Sequence, residues 1–161
     1  LIHSDDDNAI AFAEETKRKS AQLGITVLAR QVERSDPIIP AAKELIEAGV
    51  DSFAIPLDAY YGFNDQQYGK DLFALASEHK MPVFAFVNYD EKGALLYAGP
   101  DFTYIGELSG KQAVKILKEG IKPEDLPILK QEDLSIYVDS TIAKNLGIEF
   151  SESLLKAAKQ R

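Results

Sequence analysis

Apolar positions along the chain switch between short β-prone runs and stretches with helical spacing, and that alternation predicts most of its elements. Residues 1–3 read as the end of a strand. Ala9, Phe12, Ala13, Thr16, Ser20 and Leu23 then fall on one side of a helix over about 9–23, opposite Glu14, Glu15, Lys17, Arg18 and Lys19. Gly24 stops this helix, and Ile25 to Ala29 forms the next β-prone run. Helical spacing returns from Ile39 to Ala48 and ends at Gly49. A strand over 52–57, a helix from Tyr68 to His79 and a strand over 82–87 follow. The last of these is so apolar that both its faces are expected to be covered, as in a parallel sheet.

Strands and helices alternating with short connections predict an α/β fold with a doubly wound parallel sheet and right-handed crossovers. Beyond Val87 the rhythm loosens. Ala94 to Tyr97 reads as a strand and Phe102 to Lys118 as a helix. The segment from Gly120 to Asp133, which contains proline, is too long for a simple turn and suggests service to a second lobe. Leu134 to Val138 alternates as a strand, Thr141 to Leu146 is a short helix closed by Gly147, and Ser151-Glu152-Ser153 caps a terminal helix. The chain opens with Leu, already inside a strand, so it is read as a fragment of a longer protein.

Composition narrows the classes of function. Among 161 residues, 26 acidic side chains against 18 basic ones give a formal charge of −8, which opposes binding to nucleic acid or anionic lipid. No apolar run reaches the roughly 20 residues that span a bilayer. Cysteine is absent, which removes disulfides, thiolate metal sites and a cysteine nucleophile from these residues. His3 and His79 are the only histidines and lie far apart, so a strand-end role and a solvent-facing helix position are expected of them rather than metal binding or base catalysis. No phosphate-loop, nucleophile-elbow, zincin or dinucleotide motif occurs. The reading is of a protein that is not an enzyme and needs neither cofactor nor metal.

In an open α/β sheet, ligands sit beyond the carboxyl ends of the strands. The loops to inspect are therefore Ser4–Asn8, Asp58–Tyr61, Asn88–Asp90 and Asp139–Ser140. They carry carboxylates, amides, hydroxyls and aromatic rings, a set suited to a zwitterion or small polar solute with an apolar part. Asp5, Asp6 and Asp7 lack the spacing of a calcium loop and read as helix caps, Asp90 and Asp139 as caps or turn formers. Tyr60, Tyr61 and Phe63 cluster in a loop containing glycine, where packing does not demand aromatics.

Several segments in order carry a family resemblance: Ser4-Asp5-Asp6-Asp7-Asn8, Val50 through Asp58, and Met81-Pro82-Val83-Phe84-Ala85. Gly93-Ala94-Leu95, Gly99-Pro100-Asp101-Phe102 with Ile105-Gly106, Ile116 to Gly120 with Asp125-Leu126-Pro127, Ala143 to Ile148, Ser153-Leu154-Leu155 and Ala157-Ala158 continue it. Over nearly its whole length the chain resembles ABC-transporter substrate-binding proteins of the tryptophan/tyrosine-uptake type, which have the periplasmic-binding-protein type I fold. It departs from the family at Phe150, where proline is usual, and at Tyr60-Tyr61, where residues are usually smaller.

The resemblance implies two α/β lobes closing on a small solute, an upstream lipidated cysteine as the only membrane attachment, and ABC permease subunits as partners outside the cytoplasm. It also implies that residues 1–92 form much of the second lobe, that 93–133 cross the hinge and serve the first lobe, and that 134–161 return. Asp58 is then expected to receive a ligand ammonium, Ser4 and Asn8 to hydrogen-bond the ligand, Asn88 to act as a polar clamp and Tyr60 as an apolar wall. Two other readings are a ligand-sensing domain of a regulator or receptor with the same fold, and a small α/β enzyme of flavodoxin-like shape using Asp58 and Tyr60 in acid–base work.

Overall fold

The computed structural model describes residues 1–62, 66–87 and 92–161. The first half alternates as expected: β1 (Ile2–His3), α1 (Asp7–Ala21), β2 (Arg30–Gln31), α2 (Ile38–Glu47), β3 (Phe53–Ile55), α3 (Gln67–Glu78) and β4 (Val83–Ala85). Each helix buries residues three and four apart: Ala9 and Ala13 on α1, Ile38, Ala41, Ala42 and Leu45 on α2, and Leu72, Phe73, Leu75 and Ala76 on α3. On β3 and β4, Phe53, Ile55, Val83 and Ala85 are buried and the residues between them are partly covered. Both faces of these strands therefore lie under other elements. Together with Ile2, Tyr60, Tyr61 and Tyr97 they form one continuous core.

β3 and β4 pair in parallel, as do β4 and β5 (Leu96–Gly99). The next strand, β6 (Ser135–Val138), runs antiparallel to β5, and β7 (Lys159–Gln160) pairs with β6 in parallel. The sheet is thus parallel in the main, with one reversal. Its cause is the excursion between β5 and β6, where α4 (Phe102–Leu117) and a long connection carry the chain away and bring it back in the opposite sense. β7 has no counterpart in the sequence reading, because Lys159-Gln160 is polar and both residues are exposed. Backbone and side chain fix it nonetheless. The Arg161 amide donates to the Val138 carbonyl at 3.0 Å, and the Arg161 guanidinium lies 3.9 Å from the centre of the buried Tyr97 ring.

The strand expected over 25–29 lies later in the chain. Ile25 is taken up in ending α1: Gly24 adopts φ +73°, and the Ile25 amide reaches back to the Ser20 carbonyl at 3.0 Å. Pairing with β1 is centred on Arg30 and Gln31, with Val32 as its buried anchor, and Ile25 and Leu28 remain exposed. Two further helices, α5 (Ser140–Leu146) and α6 (Glu152–Ala157), begin at the caps expected of them. Asp139 accepts from the Thr141 and Ile142 amides at 2.8 and 3.0 Å, and Ser151 accepts from Leu154.

Gly93, just ahead of β5, has φ +154°, and a Cβ there would fall 2.2 Å from Cγ of the Phe73 ring. The ring is itself packed in the core on α3, so it has little room to retreat. We predict that Gly93→Ala lowers folding stability by about 2 kcal/mol or more, seen as a lower urea midpoint. An unchanged midpoint would mean that Phe73 moves aside freely.

Candidate functional site

The loops leaving the carboxyl ends of β1 and β3 meet at one place. Asp58 is the meeting point. Its Oδ2 accepts from the Ser4 amide at 2.7 Å, while Oδ1 accepts from the Ser4 hydroxyl and the Tyr60 amide, each at 2.9 Å. Ser4 is fully buried and Asp58 is 5% exposed, so these charge-assisted bonds form out of water, where they hold most firmly. The Ser4 hydroxyl also accepts from the Asp6 amide at 3.3 Å, which fixes the entry to α1. His3 is buried beside them, its Nδ1 donating to the Ser4 carbonyl at 2.7 Å, whereas His79 is exposed just after α3.

Tyr60 does not face a cleft. Its ring is fully enclosed, stacked on Tyr68 at 4.6 Å and edge-on to Tyr61 at 5.4 Å, and its hydroxyl donates to the Asp36 carbonyl at 2.7 Å. Burial first, then Tyr68, Asp36 and Asp58, hold its phenol well above the ordinary tyrosine range, so it remains a neutral donor. The expected apolar wall is therefore a core residue: the 3-10 turn at Ala59–Gly62 folds the ring inward under the loop after β2. Tyr61 is likewise buried, with its hydroxyl on the Ile2 carbonyl at 3.0 Å. Asn8 is exposed in the first turn of α1. Asn88, Asp90 and Phe63 lie outside the described residues.

The aspartates ahead of α1 behave differently from the capping expected of them. Asp6 occupies the N-cap position without a side-chain cap bond and instead pairs with Arg34 from the loop after β2. The two residues stand 28 positions apart in the sequence, on different loops. A second unforeseen feature is the contact of Phe12 on α1 with Phe86, the residue following β4. The ring centres are 5.8 Å apart and tilted by 49°, and both side chains are only partly buried. In the sequence Phe12 belonged to a helix stripe and Phe86 to an apolar strand; only the fold brings them together.

The chain matches a family model described as ABC transporter substrate binding protein over residues 1–161. Similar solved structures include a conserved domain protein from Vibrio cholerae, 24% identical with a TM-score of 0.82, where the match covers 99% of this chain and 52% of that one. An ABC domain from Streptococcus pneumoniae in complex with L-Trp is 26% identical, with a TM-score of 0.78 and coverage of 99% and 54%. CD0873 of Clostridium difficile, a substrate-binding protein with adhesive properties seen ligand-free and open, is 24% identical, with a TM-score of 0.73 and coverage of 99% and 52%. The chain thus spans about half the length of these structures. A comparison with curated protein sequences finds no significant match.

Removing the Asp58 carboxylate would strand the Ser4 amide, the Ser4 hydroxyl and the Tyr60 amide without an acceptor. Asp58→Ala is expected to cost about 3 kcal/mol of stability, and Ser4→Ala about 1 kcal/mol, measured by chemical denaturation. If Asp58→Ala were the milder of the two, Asp58 would not be the organising group.

Proposed function

Since the chain belongs to the family of ABC transporter substrate-binding proteins, we propose that it supplies the second lobe of a receptor that captures a small solute by closure of two lobes and delivers it to the permease of an ABC importer. The observation that carries this reading is the convergence of the loops after β1 and β3 on Asp58, at the strand edge where α/β folds bind ligands. A carboxylate offers about four lone-pair directions. Three are taken by protein donors, and the proposal assigns the fourth to a ligand ammonium. Ser4 then acts by orienting Asp58, Asn8 reaches the ligand from α1, and Asn88 remains the proposed polar clamp on the strength of its place in the sequence.

An amino acid is the proposed cargo. Asp58 matches its ammonium, and the Streptococcus pneumoniae relative was solved with L-Trp. Binding rather than turnover is the role assigned. A solute touching both lobes binds the closed form better than the open one, and that difference draws the population toward closure. The protein would work outside the cytoplasm, held by a lipid on an upstream cysteine; among the described residues no helix is long and apolar enough to cross a membrane.

The division into 1–92, 93–133 and 134–161 is supported by α4. It buries no residue, and Phe102 and Leu117 are 56% and 83% exposed despite the apolar character of the helix. Between α4 and the connection after it runs a trough of about 540 Å³ lined by Ile105, Leu108, Pro127, Ile128 and Leu134. Such a surface suits burial against the first lobe.

The test is thermal stability of the full protein against a panel of amino acids, because a ligand at about one hundred times its Kd adds roughly 2.7 kcal/mol. A Tm rise with one chemical class is expected. Asn8→Ala should leave the unliganded Tm in place and weaken binding by about five- to tenfold, whereas a panel without any shift would reject an amino acid cargo.

A further inference from the structure

A solute that brings a cationic group to Asp58 also meets Asp6, whose amide is two hydrogen bonds away. We infer that Arg34 sets the charge this site accepts: by covering Asp6 it leaves Asp58 to a single cation, and so favours solutes with one cationic group over those with two. The inference rests on the solute-binding reading above.

The placement of Arg34 follows from the strands. β1 and β2 pair in parallel, so the loops that leave them issue on the same side. Hydrogen bonds tie each loop to Asp58. On the first, the Ser4 hydroxyl donates to Asp58 at 2.9 Å and accepts from the Asp6 amide at 3.3 Å. On the second, the Glu33 amide donates to the Asp36 carboxylate at 3.0 Å and closes a turn over 33–36. Two tyrosine hydroxyls hold that turn from outside, Tyr60 on the Asp36 carbonyl at 2.7 Å and Tyr68 on the Ser35 carbonyl at 3.3 Å. Tyr60 in turn gives its amide to Asp58. The ion pair of Arg34 with Asp6 joins the two loops and completes a ring of contacts through Asp58, Ser4, Asp6, the turn and Tyr60.

Around this ring the carboxylates differ in how water treats them. Asp5 and Asp7 are exposed, where solvent and salt screen their charge. The Asp6 side chain is only 22% exposed, so its charge would act on any cation brought to Asp58. Arg34 answers that charge. The bond to Asp6 and the Asp6 charge, with smaller effects from Asp5 and Asp58, hold the guanidinium above its ordinary range, and it stays positive throughout the working range of pH. Asp6 and Arg34 together carry no net charge, which leaves that of Asp58. One ammonium is met there, while a second cation on the same solute encounters the guanidinium, a repulsive element of the kind that specificity requires.

The experiment titrates the full protein by calorimetry with the standard amino acids and 1,4-diaminobutane. Native protein should bind an amino acid with a neutral side chain more tightly than L-lysine, L-arginine or the diamine. Arg34→Gln should gain about tenfold in affinity for those three. Neutral amino acids, whose ammonium and carboxylate feel the bared Asp6 in opposite senses, should change by less than about threefold. Adding Asp6→Asn to that variant should restore the native order, and Arg34→Lys should keep it; loss of a merely structural tie would be repaired by neither. Exposed ion pairs contribute little to stability, so each variant is expected to fold, which denaturation midpoints check. No gain for the dicationic probes, a gain that persists in the double variant, or a native preference for L-lysine would overturn the inference and leave the solute-binding reading intact. A loss of about tenfold or more for neutral amino acids would overturn it too, by making Arg34 a direct solute contact. A native protein that binds none of the probes would remove the charge selectivity together with the amino acid cargo.

Discussion

Everything at the strand edge depends on one carboxylate. Among the described residues the strands fall into two sets, β1 with β2 and β3 through β7, with no ladder bonds joining them. Asp58 spans that seam by taking the amide and hydroxyl of Ser4 from the first set while also holding the Tyr60 amide in its own loop. Tyr61 adds a second tie to the Ile2 carbonyl. Because the partners are buried, leaving any of them unmet is costlier than the net worth of the bond. The position of β1, and with it the start of α1, is thereby coupled to the residue proposed to meet a ligand.

The elements that could be read from the sequence were those whose apolar period coincides with local burial. α2 and α3 met both conditions, and they lie within a residue or so of their expected bounds. The strand after α1 failed because its apolar residues were recruited elsewhere: Ile25 closes the helix, and Val32, beyond the expected run, is the one that is buried. β7 failed for the opposite reason, as two exposed polar residues carry no apolar pattern and are held by backbone pairing and contacts to distant side chains. Chain reversal at β6 has no signature in a strand's own residues, since direction is set by what lies between strands.

At the candidate site, the prominence of Asp58 was legible from its place after an apolar strand. The inward turn of Tyr60 was not, because loop aromatics point to ligand and to core with the same letters. The outcome was decided by the Asp36 carbonyl and the Tyr68 ring, 24 and 8 residues away in sequence. The pairings of Arg34 and Phe86 are illegible in the sequence for a related reason. Each has its partner, Asp6 or Phe12, on a different element, and a pairing of that kind is a property of the topology rather than of any segment.

The seating of Arg161 on Tyr97 also bears on how the molecule is made. The five-stranded sheet takes its members from residue 53 to residue 160, and the ring that this guanidinium covers was laid down more than sixty residues earlier. Pairings so distant in sequence form slowly, since a long loop must close before any of them is rewarded. During synthesis β6 would wait with one edge bare, an open template for another chain. Lys159 to Arg161 end that exposure when they take their places beside β6.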